Sequence, residues 1–243
     1  MFDRIAGVYD AMNSAMTVGL HHRWRARAAQ ATGALAGSRV LDVATGTGDL
    51  ALELARRVSP GGEVVGCDFS EAMLARARGK ATALPAGLVR PSFQIADALA
   101  LPYPDDAFDA ATAGFGVRNF ADLRRGICEM ARVVRPGGRV VVLEITTPTR
   151  APLSTFYGIW FDRLVPQLGR VAARLSPGAR DAGTGPGIAA AYSYLPSSVR
   201  RFPAPEALAR EMQAAGLGEV RFELLAGSIV ALHVGTVGGA GRR

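Results

Sequence analysis

The stretch RVLDVATGTGDLALELARRV, residues 39–58, decides the fold of this chain. Arg39 to Val43 is a short apolar run of strand type, and Asp49 to Val58 repeats its apolar residues with helical period. Between them, Gly46, Thr47 and Gly48 followed by Ala51 satisfy G-x-G-x-x-A, a glycine-rich turn from strand into helix. Glu63 to Cys67 is a second strand, and Asp68 ends it, 20 residues after Gly48. Ser70 then occupies the N-cap position of a helix over Glu71 to Arg78. Strand, helix and strand in this order form a βαβ unit.

Working outward, Ser92 to Ile95, Phe108 to Thr112 and Arg139 to Ile145 supply three more strands. A helix over Asp122 to Val134 is expected to end at the stop Arg135-Pro136-Gly137-Gly138. Five strands with helical crossovers imply a parallel sheet covered on both faces. Pro205 opens a further helix and Gly216 follows its end. Val220 to Leu225 and Ser228 to Val234 then make an antiparallel pair through Ala226-Gly227. The predicted fold is α/β, a seven-stranded, mostly parallel sheet with an antiparallel C-terminal strand.

One domain is expected over residues 1–235, with an N-terminal helical cap (1–37), a helical insertion (147–204) and a flexible tail (236–243). The insertion holds about half of the 14 prolines and no clear strand. Its segment Leu153 to Leu168 sets Leu153, Phe156, Tyr157, Trp160, Phe161, Leu164, Val165 and Leu168 on one helical stripe. That stripe is either core or a lid or membrane-facing patch. Ser176 to Gly187 reads as a flexible loop.

Composition narrows the function classes. With 49% hydrophobic and 20% charged residues among 243, the chain is globular, neither disordered nor collagenous. No window reaches the ~18 to 20 apolar residues of a spanning helix. Met1-Phe2-Asp3-Arg4 lacks the apolar core of a secretory signal, so a cytoplasmic location is expected. Cys67 and Cys128 lie in apolar runs and are expected to be buried, reduced thiols, and three histidines leave little for a metal. Of the 28 basic residues only Lys80 is lysine, and the net charge is +7. The arginines are dispersed singly and in pairs, as on a solvated surface; an anionic lipid surface and nucleic acid are the alternatives.

The turn itself points to a nucleotide. A carboxylate ending the second strand, Asp68, suits the two ribose hydroxyls of a nucleotide lying across the carboxyl edge of the sheet. A dinucleotide also needs room for a pyrophosphate, yet the carboxylates Asp42 and Asp49 flank the turn and repel phosphate. They suit the amino group and sulfonium of S-adenosylmethionine (SAM). Asp97-Ala98, after the third strand, is placed to meet adenine with a carboxylate and a backbone N–H. The expected cofactor set is Asp42, Gly46, Thr47, Gly48, Asp68, Asp97 and Ala98, with no metal.

Several further stretches carry a resemblance: FDRIA (2–6), YDAMN (9–13), GLHHRW (19–24), FGVRNF (115–120), RPGG (135–138), YSYLP (192–196), and Ser198-Val199 with Phe202-Pro203. Together they resemble the ubiquinone/menaquinone biosynthesis C-methyltransferases (UbiE/MenG type), from Phe2 to about Gly235. The resemblance implies a class I SAM-dependent methyltransferase of Rossmann-like fold, acting on a ring carbon of a prenylated quinol. Two departures stand out. Gly114 occupies a position where the family often has Ser, which leaves only a backbone contact to the cofactor there. The stretch from Gly169 to Tyr192 is longer than the family suggests.

Methyl transfer needs the nucleophile in line with the methyl–sulfur bond, about 3 to 3.5 Å away. A quinol carbon becomes nucleophilic only when its hydroxyl loses a proton, so some group must favour the quinolate. Arg118 and Asn119, just after the fourth strand, can stabilise a phenolate or orient a water, or Arg118 can instead pair with Asp122 or Glu144. Tyr9, Asp10, His21 and His22 are further candidates; His21 either titrates near neutrality or packs in the core beside Trp24. Tyr192 and Tyr194 either meet quinol oxygens or pack. The resulting expectation is conversion of demethylmenaquinol to menaquinol. A ubiquinone-pathway substrate and a non-catalytic subunit of a quinone-synthesis complex are the alternatives. The expected partners are the prenylated quinol and a peripheral contact at the inner face of the plasma membrane, with no nucleic acid; a homodimer is left open.

Overall fold

Residues Val40 to Val43 are all buried, because this strand is interior to the sheet, with a strand on each side and helices over both faces. The computed structural model describes residues 19–148 and 194–239, with Asp10, Ser14, Thr17, Ala151, Ser154, Thr155, Gly158 and Gln167. In chain order its elements are α1 (Leu20–Ala31), β1 (Arg39–Val43), α2 (Asp49–Val58), β2 (Glu63–Asp68), α3 (Glu71–Thr82), β3 (Ser92–Ile95) and β4 (Phe108–Gly114). Then follow α4 (Leu123–Val133), β5 (Val134–Ile145), α5 (Pro205–Ala214), β6 (Leu217–Leu225) and β7 (Val230–Val237).

The sheet has seven strands in the order β3-β2-β1-β4-β5-β7-β6. The first five pair in parallel, and β7 runs antiparallel to both β5 and β6. Chain order reverses between β1 and β4, which opens a crevice at their carboxyl ends. Period 2 along the strands splits the core between the faces. Leu41, Val43, Ala111 and Val142 pack with α4 and α5, whereas Val40, Ala110, Val141 and Leu143 pack with α1 and α2. On α2 the residues Leu50, Ala51, Leu54, Ala55 and Val58 are buried, a 3.6-period stripe laid against the sheet. Each such fully buried Leu or Val contributes about 1.5 to 3 kcal/mol.

The α2 bounds are those expected; other features differ. Arg135-Pro136-Gly137-Gly138 does not form a separate loop: β5 begins at Val134, directly after α4, and its pairing with β4 jumps from Phe108↔Val134 to Ala110↔Arg139. Gly138 permits this, since a Cβ there would stand 2.4 Å from the carbonyl oxygen of Asp109. Ser228 belongs to the turn Ala226–Ser228, not to the last strand. β7 continues to Val237, into the expected tail, because Val237 is buried and pairs with Leu217. Residues 194–201 are helical. The apolar stripe from Leu153 to Leu168, the loop 176–187, Tyr9 and Tyr192 lie outside the described residues. Among the described residues, no helix is long and apolar enough to cross a membrane.

The two cysteines part company. Cys67 on β2 is buried, and burial together with the nearby carboxylates of Asp42 and Asp68 pushes its pKa up to about 12. Cys128 is exposed, contrary to expectation, because the buried stripe of α4 runs through Ile127, Met130 and Ala131 and leaves residue 128 on the solvent side. Iodoacetamide should therefore alkylate Cys128 in the native protein and Cys67 only in denaturant, read by peptide mass spectrometry. Native modification of Cys67 at a similar rate would contradict this burial.

Candidate active site

The turn after β1 is built from left-handed backbone. Ala44, Gly46 and Gly48 have φ of 53°, 55° and 82°. Gly48 is needed for a second reason: a Cβ there would lie 2.8 Å from Ala77 Cβ on α3. The turn is then fastened to β2. Thr45 N–H donates to the Cys67 carbonyl at 2.9 Å, and Gly46 N–H donates to Asp68 Oδ2 at 2.8 Å. Asp68 Oδ1 accepts from Ser70 N–H at 3.0 Å, so one carboxylate spans the glycine turn and the start of α3. Ser70 caps that helix, its hydroxyl accepting from Met73 N–H at 3.3 Å.

These elements surround a cleft of about 300 Å³ at the carboxyl ends of β1, β2 and β4. Asp42, Gly46, Thr47, Asp68, Asp97, Ala98 and Gly114 all line it, as does Asn119. Gly48 supports the turn from behind. Asp42 is buried, and burial raises its pKa to about 6 even though Thr45 and Thr112 hydroxyls donate to it at 2.6 and 2.7 Å. Asp49 differs from expectation. Burial alone would raise its pKa, but Arg25 at 3.5 Å and Lys80 at 2.6 Å outweigh that and lower it, so its charge is already compensated.

The wall tests which cofactor fits. Of the four carboxylates among the described residues lining it, Asp49 is compensated by Arg25, the one cation on the wall, and by Lys80 behind the turn, so Asp42, Asp68 and Asp97 set the sign of the field. A phosphate would enter a field of its own sign, whereas the sulfonium and ammonium of SAM enter a complementary one. Phe69, 62% exposed on the rim beside Asp68, offers an apolar face for a purine. The residues present fit SAM: Asp68 would take the ribose, Asp97 and Ala98 the adenine, and Asp42 with the Gly46–Thr47 backbone the amino acid end.

The expected catalytic residues fare unequally. Arg118 takes the alternative arrangement: its guanidinium donates to Glu144 at 2.6 Å and to the Phe115 carbonyl at 2.5 Å, and it does not line the cleft. Asp122 is not its partner; it caps α4 by accepting from Arg125 N–H at 2.9 Å. Asn119 does reach the cleft, and its buried Oδ1 has no hydrogen-bond partner among the described residues. His21 does not titrate near neutrality. Burial first, then the charges of Arg25 and His22, hold its pKa down at about 4. Its Nδ1 accepts from Arg25, so the proton sits on Nε2 and points to Ser14 Oγ at 3.1 Å. Tyr194 lies under Arg201, 5.7 Å from the ring centroid.

Sequence reasoning missed Arg25, Phe69, Phe115 and Lys80. Arg25 stands 5.4 Å above the Phe115 ring, and Trp24 packs 6.4 Å from the same ring, so α1 closes one side of the cleft with aromatic and guanidinium surface. Lys80 was visible as the one lysine in an arginine-rich chain, and Phe69 as an apolar residue wedged between Asp68 and Ser70.

Comparison with known proteins finds relatives over nearly the whole chain. Residues 1–237 match the model of the ubiE/COQ5 methyltransferase family. The chain is 49% identical to the demethylmenaquinone methyltransferase of Thermus thermophilus, covering 97% of this chain and 99% of that one. It is 39% identical to the ubiquinone/menaquinone biosynthesis C-methyltransferase UbiE of Geobacter sulfurreducens, over 98% and 87% of the two chains. In fold it resembles a SAM-dependent methyltransferase from Aquifex aeolicus, with a TM-score of 0.57, 18% identity and 86% of each chain covered.

Asp68→Ala should raise the SAM dissociation constant about 10- to 100-fold by calorimetry, since a carboxylate bonded to ribose hydroxyls contributes ~1.5 to 3 kcal/mol. Affinity equal to that of the parent would put the nucleotide elsewhere.

Proposed function

The chain belongs to the ubiE/COQ5 methyltransferase family and is a SAM-dependent methyltransferase, and from that premise we propose that it methylates a ring carbon of demethylmenaquinol to give menaquinol. The observation that carries the reading is the juxtaposition in one cleft of a carboxylate wall suited to SAM and an apolar side made by Phe115 and Phe120, with Trp24 behind Phe115. Flat aromatic surface suits a fused-ring quinol. Near-complete coverage of the Thermus thermophilus demethylmenaquinone methyltransferase supports the same substrate.

Bound SAM supplies a methyl group on a positively charged sulfur, activated for transfer. The chain's own residues do the placing. Asp42, Asp68, Asp97 and the turn backbone hold the cofactor, and the buried Asn119 Oδ1 accepts from a quinol hydroxyl and so orients the ring. The Arg118–Glu144 pair, with both side chains almost wholly buried, stiffens the segment that carries Asn119. Neutral His21 accepts from Arg25 and keeps that guanidinium over Phe115 and against Asp49. A prenylated quinol resides in the bilayer, so the chain works docked at an anionic membrane surface, which its net charge of +7 favours.

Purified protein given SAM and short-tailed quinols should add one methyl group to demethylmenaquinol, read by mass spectrometry. Asn119→Ala should slow that reaction about 10- to 100-fold while SAM affinity changes little, as for loss of a buried hydrogen bond. Methylation of a benzoquinol alone, or of neither quinol by a protein that binds SAM, would overturn the proposed substrate.

A further inference from the structure

Lys80, the single lysine among 28 basic residues, sits in the last turn of α3 behind the glycine turn. Its ammonium has three acceptors: Thr47 Oγ1 at 2.9 Å, Asp49 Oδ1 at 2.6 Å and Asp10 Oδ2 at 2.6 Å. An ammonium carries three N–H donors, so the set is complete. Thr47 Oγ1 donates in turn to Asp10 Oδ1 at 2.7 Å, which commits the hydroxyl proton and fixes its rotamer. Thr47 is almost wholly buried and lines the cleft. The reach from α3 exists only because Gly48 lets Ala77, three residues before Lys80, come against the turn.

We propose that Lys80 is a positioning residue of the cofactor turn, and that the shape of its ammonium, not positive charge alone, carries the role. Three acceptors converge on one nitrogen from separate directions: the turn, the first residue of α2, and Asp10. A tetrahedral ammonium serves them; a planar guanidinium spreads its donors over a fork and cannot. Asp49 already has a guanidinium partner in Arg25, so the charge requirement at that carboxylate is met twice over while the geometric one at Thr47 is met by Lys80. The inference rests on the reading of Thr47 and Asp68 as part of the SAM site.

SAM titration calorimetry on variants tests it. Lys80→Arg should weaken SAM binding roughly tenfold, and Lys80→Met by at least as much, the scale of a charged hydrogen bond. In a Thr47→Val background Lys80→Arg should add no further loss, because Lys80 acts through Thr47. Lys80→Cys in a Cys128→Ser protein, alkylated with 2-bromoethylamine, restores an ammonium at nearly the original length while buried Cys67 is spared. SAM affinity should recover on alkylation, which a merely structural defect would not do. Parent-like binding by Lys80→Arg, an undiminished loss in the Thr47→Val background, or no recovery on alkylation would each overturn the proposal. If Lys80→Arg does not fold, the alkylation result decides alone. Failure of the underlying cofactor reading is distinguishable, since Asp68→Ala would then bind SAM like the parent.

Discussion

The cleft depends on one missing side chain. Gly48 allows α3 to lie against the turn after β1, where any Cβ would meet Ala77 at 2.8 Å and Phe93 at 3.1 Å. With α3 at that distance, Ser70 and Asp68 stand beside Gly46, and Lys80 reaches Thr47. Push the helix away and the carboxylate, the hydroxyl and the ammonium lose their common geometry together. The parallel pairing of β1 with β2 supplies the other half of the constraint, setting Val43 opposite Cys67 so that the turn and Asp68 emerge side by side.

Electrostatics then divides labour among carboxylates that look equivalent in sequence. Asp49 is held between Arg25 and Lys80 and serves to fasten the turn to α1 and α3. Asp42 is buried and raised to about 6, so a cation placed beside it would favour its ionised form. Asp68 spans turn and helix, and Asp97 stands exposed at the far end of the cleft. Arg118, the obvious cation for a quinolate, is committed to Glu144 and the Phe115 carbonyl. What remains on that side of the cleft is the aromatic surface of Phe115 and Phe120, the Arg25 guanidinium over Phe115, and the amide of Asn119.

Most of the sheet was legible because its signals are local: alternation in the strands, helical period in α2, an N-cap at Ser70, and glycines where the backbone turns left-handed. That Asp42, Asp68 and Asp97 would share one cleft was legible for a related reason, since the ends of successive parallel strands share one edge of a sheet. Misreadings and alternatives left open fell where a distant partner decides. The Arg135–Gly138 stop reads as a loop until β4 pairs across it. The partner of Arg118 lies 26 residues away on β5. Histidine at position 21 looks titratable until burial and Arg25, one helical turn on, hold it neutral. Cys128 needed only the phase of α4, which its apolar neighbours obscure in the one-dimensional sequence.

The most direct test of the account is a crystal structure with S-adenosylhomocysteine, the product left after methyl transfer. The ribose hydroxyls should lie on Asp68, the adenine beside Asp97, Ala98 and Phe69, the amino group against Asp42, and the sulfur facing Asn119. The ligand bound elsewhere, or with its ribose away from Asp68, would contradict it.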